Sequence, residues 1–309
     1  MHNMKFIQRI PFSVWIILAV ILTLIKPEPF VSLGNFQFKA LIIPLLQVIM
    51  FGMGSTMGIE DFQEVIKSPK SVFLGVFFHF LIMPLVGFSL TKIFSFPDEI
   101  AAGIILVGSM PCGLASNVMS YLAKANLALS LTLTSISTLL APLLTPLLIK
   151  ILANQLIEIN FWEMVWEICK LILIPIFFGL VYKKLVGDRW NGLQKHLSTI
   201  SMWSIAIIII IITANGRNSL LSVGPLLVVA CLIHNLCGFF LGYFGARITG
   251  LPERDARTIA IEVGLQNAGL ASGLAMALNK VATLGLPAAI FGPVMNITGS
   301  TLANYWKRK

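Results

Sequence analysis

Ten apolar stretches, at residues 12–25, 40–57, 72–93, 99–123, 126–150, 161–183, 199–213, 219–246, 256–278 and 282–305, follow one another with little between them. A lipid-exposed segment must satisfy its own backbone hydrogen bonds. None of these stretches alternates like a barrel strand, so the pattern predicts transmembrane helices. Ten spans of about 20 residues use about 200 residues, and the chain has 309. The connections are therefore short and no sizeable aqueous domain is expected. The stretches 12–25 and 199–213 are short and are expected to extend into their flanks. Charged residues make up only 11% of the chain, against about 25% in a soluble domain. That excludes an ordinary soluble enzyme, a disordered chain and a nucleic-acid-binding domain. The bilayer is the expected surrounding partner, and no obligate protein partner is indicated.

The net charge of +9 reads as a topology signal, because cytoplasmic loops collect Lys and Arg. With the N-terminus inside, the inner segments hold 15 basic residues, from Lys5 and Arg9 through Arg189 to Lys309. The outer segments hold 6, which are Lys26, Lys39, Lys92, Lys150, Arg217 and Lys280, and Lys170 lies within a span. Both termini are therefore expected in the cytoplasm, in a multi-pass protein of the cell (inner) membrane. The first stretch resembles a signal peptide but is followed by Lys26-Pro27-Glu28-Pro29 without a small-residue cleavage site, so it is read as a retained span. Residues Glu60–Pro69 read as a short amphipathic helix on the inner surface. Cys112, Cys169, Cys231 and Cys237 lie in apolar runs and read as small core residues. Glu163, Glu167 and Lys170 read as interfacial or as a local i, i+3 pair, and Trp162, Trp166 and Trp306 as part of an aromatic belt.

A shift of 156 residues lays Val107-Gly108 and Gly113-Leu114-Ala115-Ser116 on Val263-Gly264 and Gly269-Leu270-Ala271-Ser272, with Leu122 and Lys124 on Leu278 and Lys280. At a shift of 155, His79 falls on His234 and Pro97 on Pro252. Such a repeat holds five spans. Five is odd, so the second copy enters the membrane from the opposite side, the signature of an inverted-repeat transporter. The two halves are expected at 11–155 and 160–308. Gly108, Pro111 and Gly113 interrupt the fourth stretch, and Gly264, Gln266, Asn267 and Gly269 interrupt the ninth at the matching place. Paired interruptions point to a binding site, where half-helix N-termini suit an anion and unwound carbonyls a small cation. Glycine packing faces are the plainer alternative.

Few polar residues share that level. Glu262 is an intramembrane acid, costly and functional by default. Gln266 and Asn267 follow it, and Ser116-Asn117 flanks the first interruption. Ser130 and Thr134 place two hydroxyls on one face of the fifth span. A carboxylate with hydroxyl, amide and carbonyl oxygens is what a hard cation such as Na⁺ needs. His79 and His234 are mid-span, while His2 and His196 are at the surface.

Ala115-Ser116-Asn117-Val118-Met119, then Ala128-Leu129-Ser130 and Ser135-x-Ser137-Thr138, with Glu262-Val263-Gly264-Leu265-Gln266-Asn267 later, resemble the bile acid:sodium symporter family over essentially the whole chain. The resemblance implies an all-α, ten-helix inverted-repeat fold with broken, crossing fourth and ninth spans. It implies a panel domain from spans 1, 2, 6 and 7 (about 11–57 and 160–213) and a core domain from spans 3–5 and 8–10 (about 71–152 and 219–306). One sodium site maps to Ser116, Asn117, Ser130, Thr134 and Glu262. A second maps to Glu262, Gln266 and the carbonyls of Val263 and Leu265, with His79 where relatives usually carry a Gln. A neutral imidazole can hydrogen-bond there but is a poor Na⁺ ligand. Leu114 stands where relatives often have a polar residue, and Met295 where some carry a His before Asn296, so the pocket is more apolar.

The expected function is sodium-coupled symport of an organic anion by alternating access. Two Na⁺ would meet at Glu262, and Asn267, Asn296 and the half-helix ends would meet the anion beside Leu114 and Met295. The substrate could be a steroid-like acid or a smaller carboxylate or sulfonate. A proton-coupled carrier using Glu262 and His79 is the rival. An enzyme is not expected: the aspartates Asp61, Asp98, Asp188 and Asp255 lie in or near loops, and no H-E-x-x-H or G-x-S-x-G occurs.

Overall fold

Long apolar runs with little charge become helices here, and the computed structural model describes residues 12–58, 63–158, 160–186 and 190–308. Lys5, Arg9, Arg189 and Lys309 of the orientation argument, with His2, Glu60, Asp61 and Asp188, lie outside the described residues. Helix α1 is Phe12–Ile25. A helical turn, Glu28–Val31, and a two-stranded hairpin pairing Ser32 with Gln37 and Leu33 with Phe36 then lead to α2, Ile42–Thr56. The hairpin turns at Gly34, whose φ of 58° favours glycine. The connection expected to carry an amphipathic helix holds Gln63–Lys67, and Pro69 already belongs to α3, Pro69–Phe94. Proline suits that first turn, where its missing N–H costs no bond.

Helices α4, Asp98–Gly108, and α5, Ala115–Leu122, share the fourth apolar stretch. Helix α6, Leu127–Ala153, starts where the Asn126 side chain accepts a hydrogen bond from Leu129 N. The sixth stretch is α7, Phe161–Ile168, then a π-helical segment, Cys169–Leu173, then α8, Ile174–Val186. Lys170 on that segment donates to Glu167, the expected local pair. Helix α9, Trp190–Asn215, does extend its short stretch into the N-terminal flank, whereas α1 ends at Ile25. Helix α10 is Arg217–Ile248, α11 Glu253–Gly264, α12 Ala268–Ala277 and α13 Leu286–Lys307. Among the described residues, five helical segments are long and apolar enough to cross a membrane: Phe38–Thr56, Pro69–Phe94, Leu127–Ala153, Phe161–Val186 and Arg217–Ile248. The chain is an all-α membrane protein.

Helix α2 packs chiefly on α8 and α9, and α9 on α1. Helices α3, α4, α6, α10, α11 and α13 pack chiefly on one another. Polar contacts hold the first turns of α4 and α11. Glu99, in the first turn of α4, accepts from Lys280 Nζ and Thr283 Oγ1 in the connection after α12. Asp255, in the first turn of α11, accepts from Asn126 Nδ2 (2.9 Å) in the connection after α5, and from Ser71 Oγ (2.6 Å) of α3. Positive φ angles occur at Ser95 (51°) and Gly250 (79°), and at Lys124 (52°) and Asn279 (56°). Both pairs are spaced by 155 residues.

Candidate functional site

Between Gly108 and Ala115, and between Gly264 and Ala268, the chain leaves the helix, and the two gaps meet. Cys112 and Gln266 face each other in an antiparallel bridge. Gly113 N donates to Leu265 O (3.0 Å), and Asn267 N donates to Pro111 O (2.9 Å). Each broken stretch thus supplies the backbone partners the other lost, which unwound backbone inside a membrane requires. The approach is close enough to demand glycine: a Cβ on Gly113 would stand 2.7 Å from Gln266 O. Ser137 of α6 accepts from Cys112 N (3.2 Å). Asn267 Oδ1 accepts from Leu270 N (3.0 Å) and so caps α12.

Beside this crossing, five side chains converge. Ser116 and Asn117 come from the first turn of α5, Ser130 and Thr134 from one face of α6, and Glu262 from the end of α11. Glu262, Ser116 and Ser130 are fully buried. Ser130 Oγ lies against both Glu262 Oε1 and Asn117 Oδ1, the latter at 2.9 Å. Thr134 Oγ1 lies 3.0 Å from Glu262 Oε2 and 3.2 Å from Asn117 Oδ1. Ser116 Oγ donates to Gly113 O (2.7 Å) and sits 3.4 Å from Thr134 Oγ1. Each hydroxyl has one proton. Ser130 and Thr134 thus carry one proton each toward three acceptors, the two carboxylate oxygens and the Asn117 carbonyl, and the Ser116 hydroxyl and the Cys112 thiol also stand beside the carboxylate. Among the described residues no ion pair reaches Glu262. A buried carboxylate among surplus oxygens, without a cationic side chain, is a fitting donor set for a small hard cation.

His79 of α3 reaches the crossing from the other side. Its Nε2 is 2.8 Å from Met110 O, and its Nδ1 is 3.1 Å from Glu262 O and 3.4 Å from Cys112 Sγ. His234 does different work despite its equivalent position: Nε2 stands 2.8 Å from Met83 O, at the proline-bearing part of α3. Gln266 Nε2 donates to Val263 O (2.7 Å), while Gln266 Oε1 is buried without a partner. Sequence reasoning missed Asn235. Its Nδ2 donates to Gly264 O (2.8 Å), and its Oδ1 accepts from Thr298 Oγ1 of α13. The signal was present, a buried amide beside His234 in an apolar stretch.

A cavity of about 630 Å³ opens against the crossing. Leu114, Asn267, Met295 and Asn296 all line it, with α2 and α9 forming the facing wall. Met50, Met53, Met119 and Met202 join Met295 there, and no lining side chain among the described residues is charged. Methionine is unbranched and polarizable and adapts to varied apolar shapes. Asn296 Nδ2 donates to Gly292 O (2.8 Å).

The sequence model of the family described as "Sodium Bile acid symporter family" matches residues 43–223. The chain belongs to the sodium bile acid symporter family. "Uncharacterized sodium-dependent transporter YocS" of Bacillus subtilis (strain 168) is 38% identical over 298 residues, 96% of this chain and 91% of that protein. "Probable sodium/metabolite cotransporter BASS1, chloroplastic" of Arabidopsis thaliana is 33% identical over 298 residues, 96% of this chain and 73% of its own length. "Ileal sodium/bile acid cotransporter" of Oryctolagus cuniculus is 30% identical over 256 residues, 80% of this chain and 73% of its own. These relatives carry transporter names, and this symporter-family member is a sodium-dependent transporter and not an enzyme. Sodium is accordingly its coupling ion.

Proposed function

We propose that the chain imports an organic anion together with sodium, binding the cation at Glu262 and the anion in the cavity beside it. The carrying observation is the buried oxygen cluster of Glu262, Ser116, Asn117, Ser130 and Thr134 next to a cavity walled by Gly113, Leu114 and Ala115. Sodium would take its place among those oxygens and balance the carboxylate. The anion's charge would meet no side-chain cation in the cavity. It would be met by the N-terminal ends of α5 and α12, which begin at Ala115 and Ala268 on the cavity wall. Asn267 and Asn296 add polar contacts, while Leu114, Met295 and the other methionines favour an apolar body. A bile-acid-like acid or a smaller carboxylate or sulfonate fits that description.

Alternating access would come from motion of α1, α2, α7–α8 and α9, as a panel, against the remaining helices as a core. The cavity lies between these two groups. The ten-span inverted repeat of 11–155 and 160–308 is supported by four pairs with the repeat's offset: Glu99 with Asp255, Ser95 with Gly250, Lys124 with Asn279, and the two helix gaps. In each half, the start of a broken helix is tied to the connection beyond the other half's broken helix. An inner-membrane location with both termini cytoplasmic follows from the basic-residue bias. A C-terminal tag should therefore resist impermeant labelling in intact cells, and an externally labelled tag would contradict the even span count.

The functional test is a melting screen of organic anions with the purified protein, each in NaCl and in matched KCl, followed by uptake of the hits into proteoliposomes. An inward sodium gradient should drive uptake at fixed pH. Uptake driven by a proton gradient and indifferent to sodium would favour the proton-coupled carrier that uses Glu262 and His79.

A further inference from the structure

Resting on the sodium reading above, we propose that this transporter binds one sodium ion, at the Glu262–Asn117–Ser130–Thr134 cluster, and that His79 closes the place of a second. The resemblance would put that second ion between Glu262, Gln266 and the carbonyls of Val263 and Leu265, against residue 79. Each of those carbonyls gives one of its two lone pairs to a donor of the chain itself. Leu265 O accepts from Gly113 N (3.0 Å) as part of the bridge that joins the two broken helices. Val263 O accepts from Gln266 Nε2 (2.7 Å). The neighbouring Gly264 O is held by Asn235 Nδ2 (2.8 Å).

The imidazole of His79 fills the space that remains. It is buried, with one nitrogen 2.8 Å from Met110 O on one broken stretch and the other 3.1 Å from Glu262 O on the other. A neutral imidazole has one N–H. Donation from Nε2 to Met110 O uses it, and Nδ1 is left without a proton, 3.4 Å from Cys112 Sγ. The ring thus lies between the two halves of the crossing, bonded to Met110 on one of them, and brings no oxygen to it. Imidazole nitrogen suits transition metals, and hard cations prefer oxygen. Of the oxygens in question, Gln266 Oε1 alone lacks a partner, and one oxygen does not replace a cation's hydration shell. His79 therefore places a nitrogen where a hard cation would need an oxygen ligand.

Equilibrium binding of radiolabelled sodium to the purified full chain, with choline chloride holding the ionic strength, tests this. The wild type should saturate at one ion per chain with a Hill slope of one. His79→Gln replaces the ring by an amide that offers an oxygen, and should raise the plateau to two with a slope above one. His79→Asn serves if that protein does not fold. Two ions bound by the wild type would overturn the proposal and leave the sodium reading standing. One ion in both proteins would overturn the assignment to His79. No saturable sodium binding at all would overturn this proposal and the sodium reading together.

Discussion

Sodium-driven uptake should fall to background in Glu262→Ala and survive in weakened form in Glu262→Gln. The carboxylate is the sole negative charge of its cluster, and its two oxygens face the hydroxyls of Ser130 and Thr134. Alanine removes both oxygens and the charge, and leaves the two hydroxyls and the Asn117 carbonyl to hold a cation alone. A loss on the order of 100-fold in sodium affinity, or roughly 3 kcal/mol, is expected. Glutamine keeps one oxygen and the shape, so its loss should be smaller. Initial rates of uptake into proteoliposomes across a sodium series check this, with protein amount normalised. Were coupling to protons instead, glutamine would imitate the protonated acid and the sodium series would be flat for every variant.

Gly179→Val should destabilise the protein more than any other single glycine exchange on the α2–α8 contact, together with its counterpart Gly54→Val. A Cβ on Gly179 would stand 2.3 Å from Phe51 O, and a Cβ on Gly54 would stand 2.3 Å from Ile176 O. In both cases the obstacle is backbone, which cannot rotate aside. The two helices approach through a pair of small residues, as membrane helices do where close packing replaces the hydrophobic effect. Overpacking of this kind costs roughly 3 kcal/mol, which corresponds to a fall of roughly 5 °C in melting temperature for a chain of this length. Gly224→Ala is the contrasting exchange, because its Cβ would meet only the Leu220 side chain, at 3.3 Å. It should leave the melting temperature unchanged or slightly raised, since alanine favours the helix. Tryptophan fluorescence of the detergent-purified variants during heating separates the two classes.

Much of the fold was legible because its determinants are local. Gly108, Pro111 and Gly113 announce the first gap, and Gly264, Gln266 and Asn267 the second, at the positions where α4 and α11 end. The positions of Ser116, Asn117, Ser130, Thr134 and Glu262 came from recognisable motifs, and the structure brings these side chains together. What sequence did not disclose is non-local. The bridge between Cys112 and Gln266 joins residues with no shared period. The contacts of Asp255 with Asn126 and Ser71 likewise depend on how separate helices meet. Asp255 lies near a loop, as expected, but its burial in the first turn of α11 has no mark in the sequence. The π-helical segment at Cys169–Leu173 has no compositional mark, since Cys, Lys, Leu and Ile suit an ordinary helix as well. His79 was identifiable as a departure from its relatives, but its two carbonyl contacts emerge only once both broken stretches are folded beside it.

Coupling depends on a sodium ion being held by the Glu262 cluster. The most direct measurement is the melting temperature of purified wild type and Glu262→Ala against NaCl, with KCl at matched ionic strength. A ligand that binds only the folded state raises stability with its concentration. The wild type should therefore gain stability in NaCl that it does not gain in KCl, and Glu262→Ala should melt alike in both salts. A Glu262→Ala protein that keeps the wild-type, sodium-specific rise would contradict the assignment of the ion to this cluster.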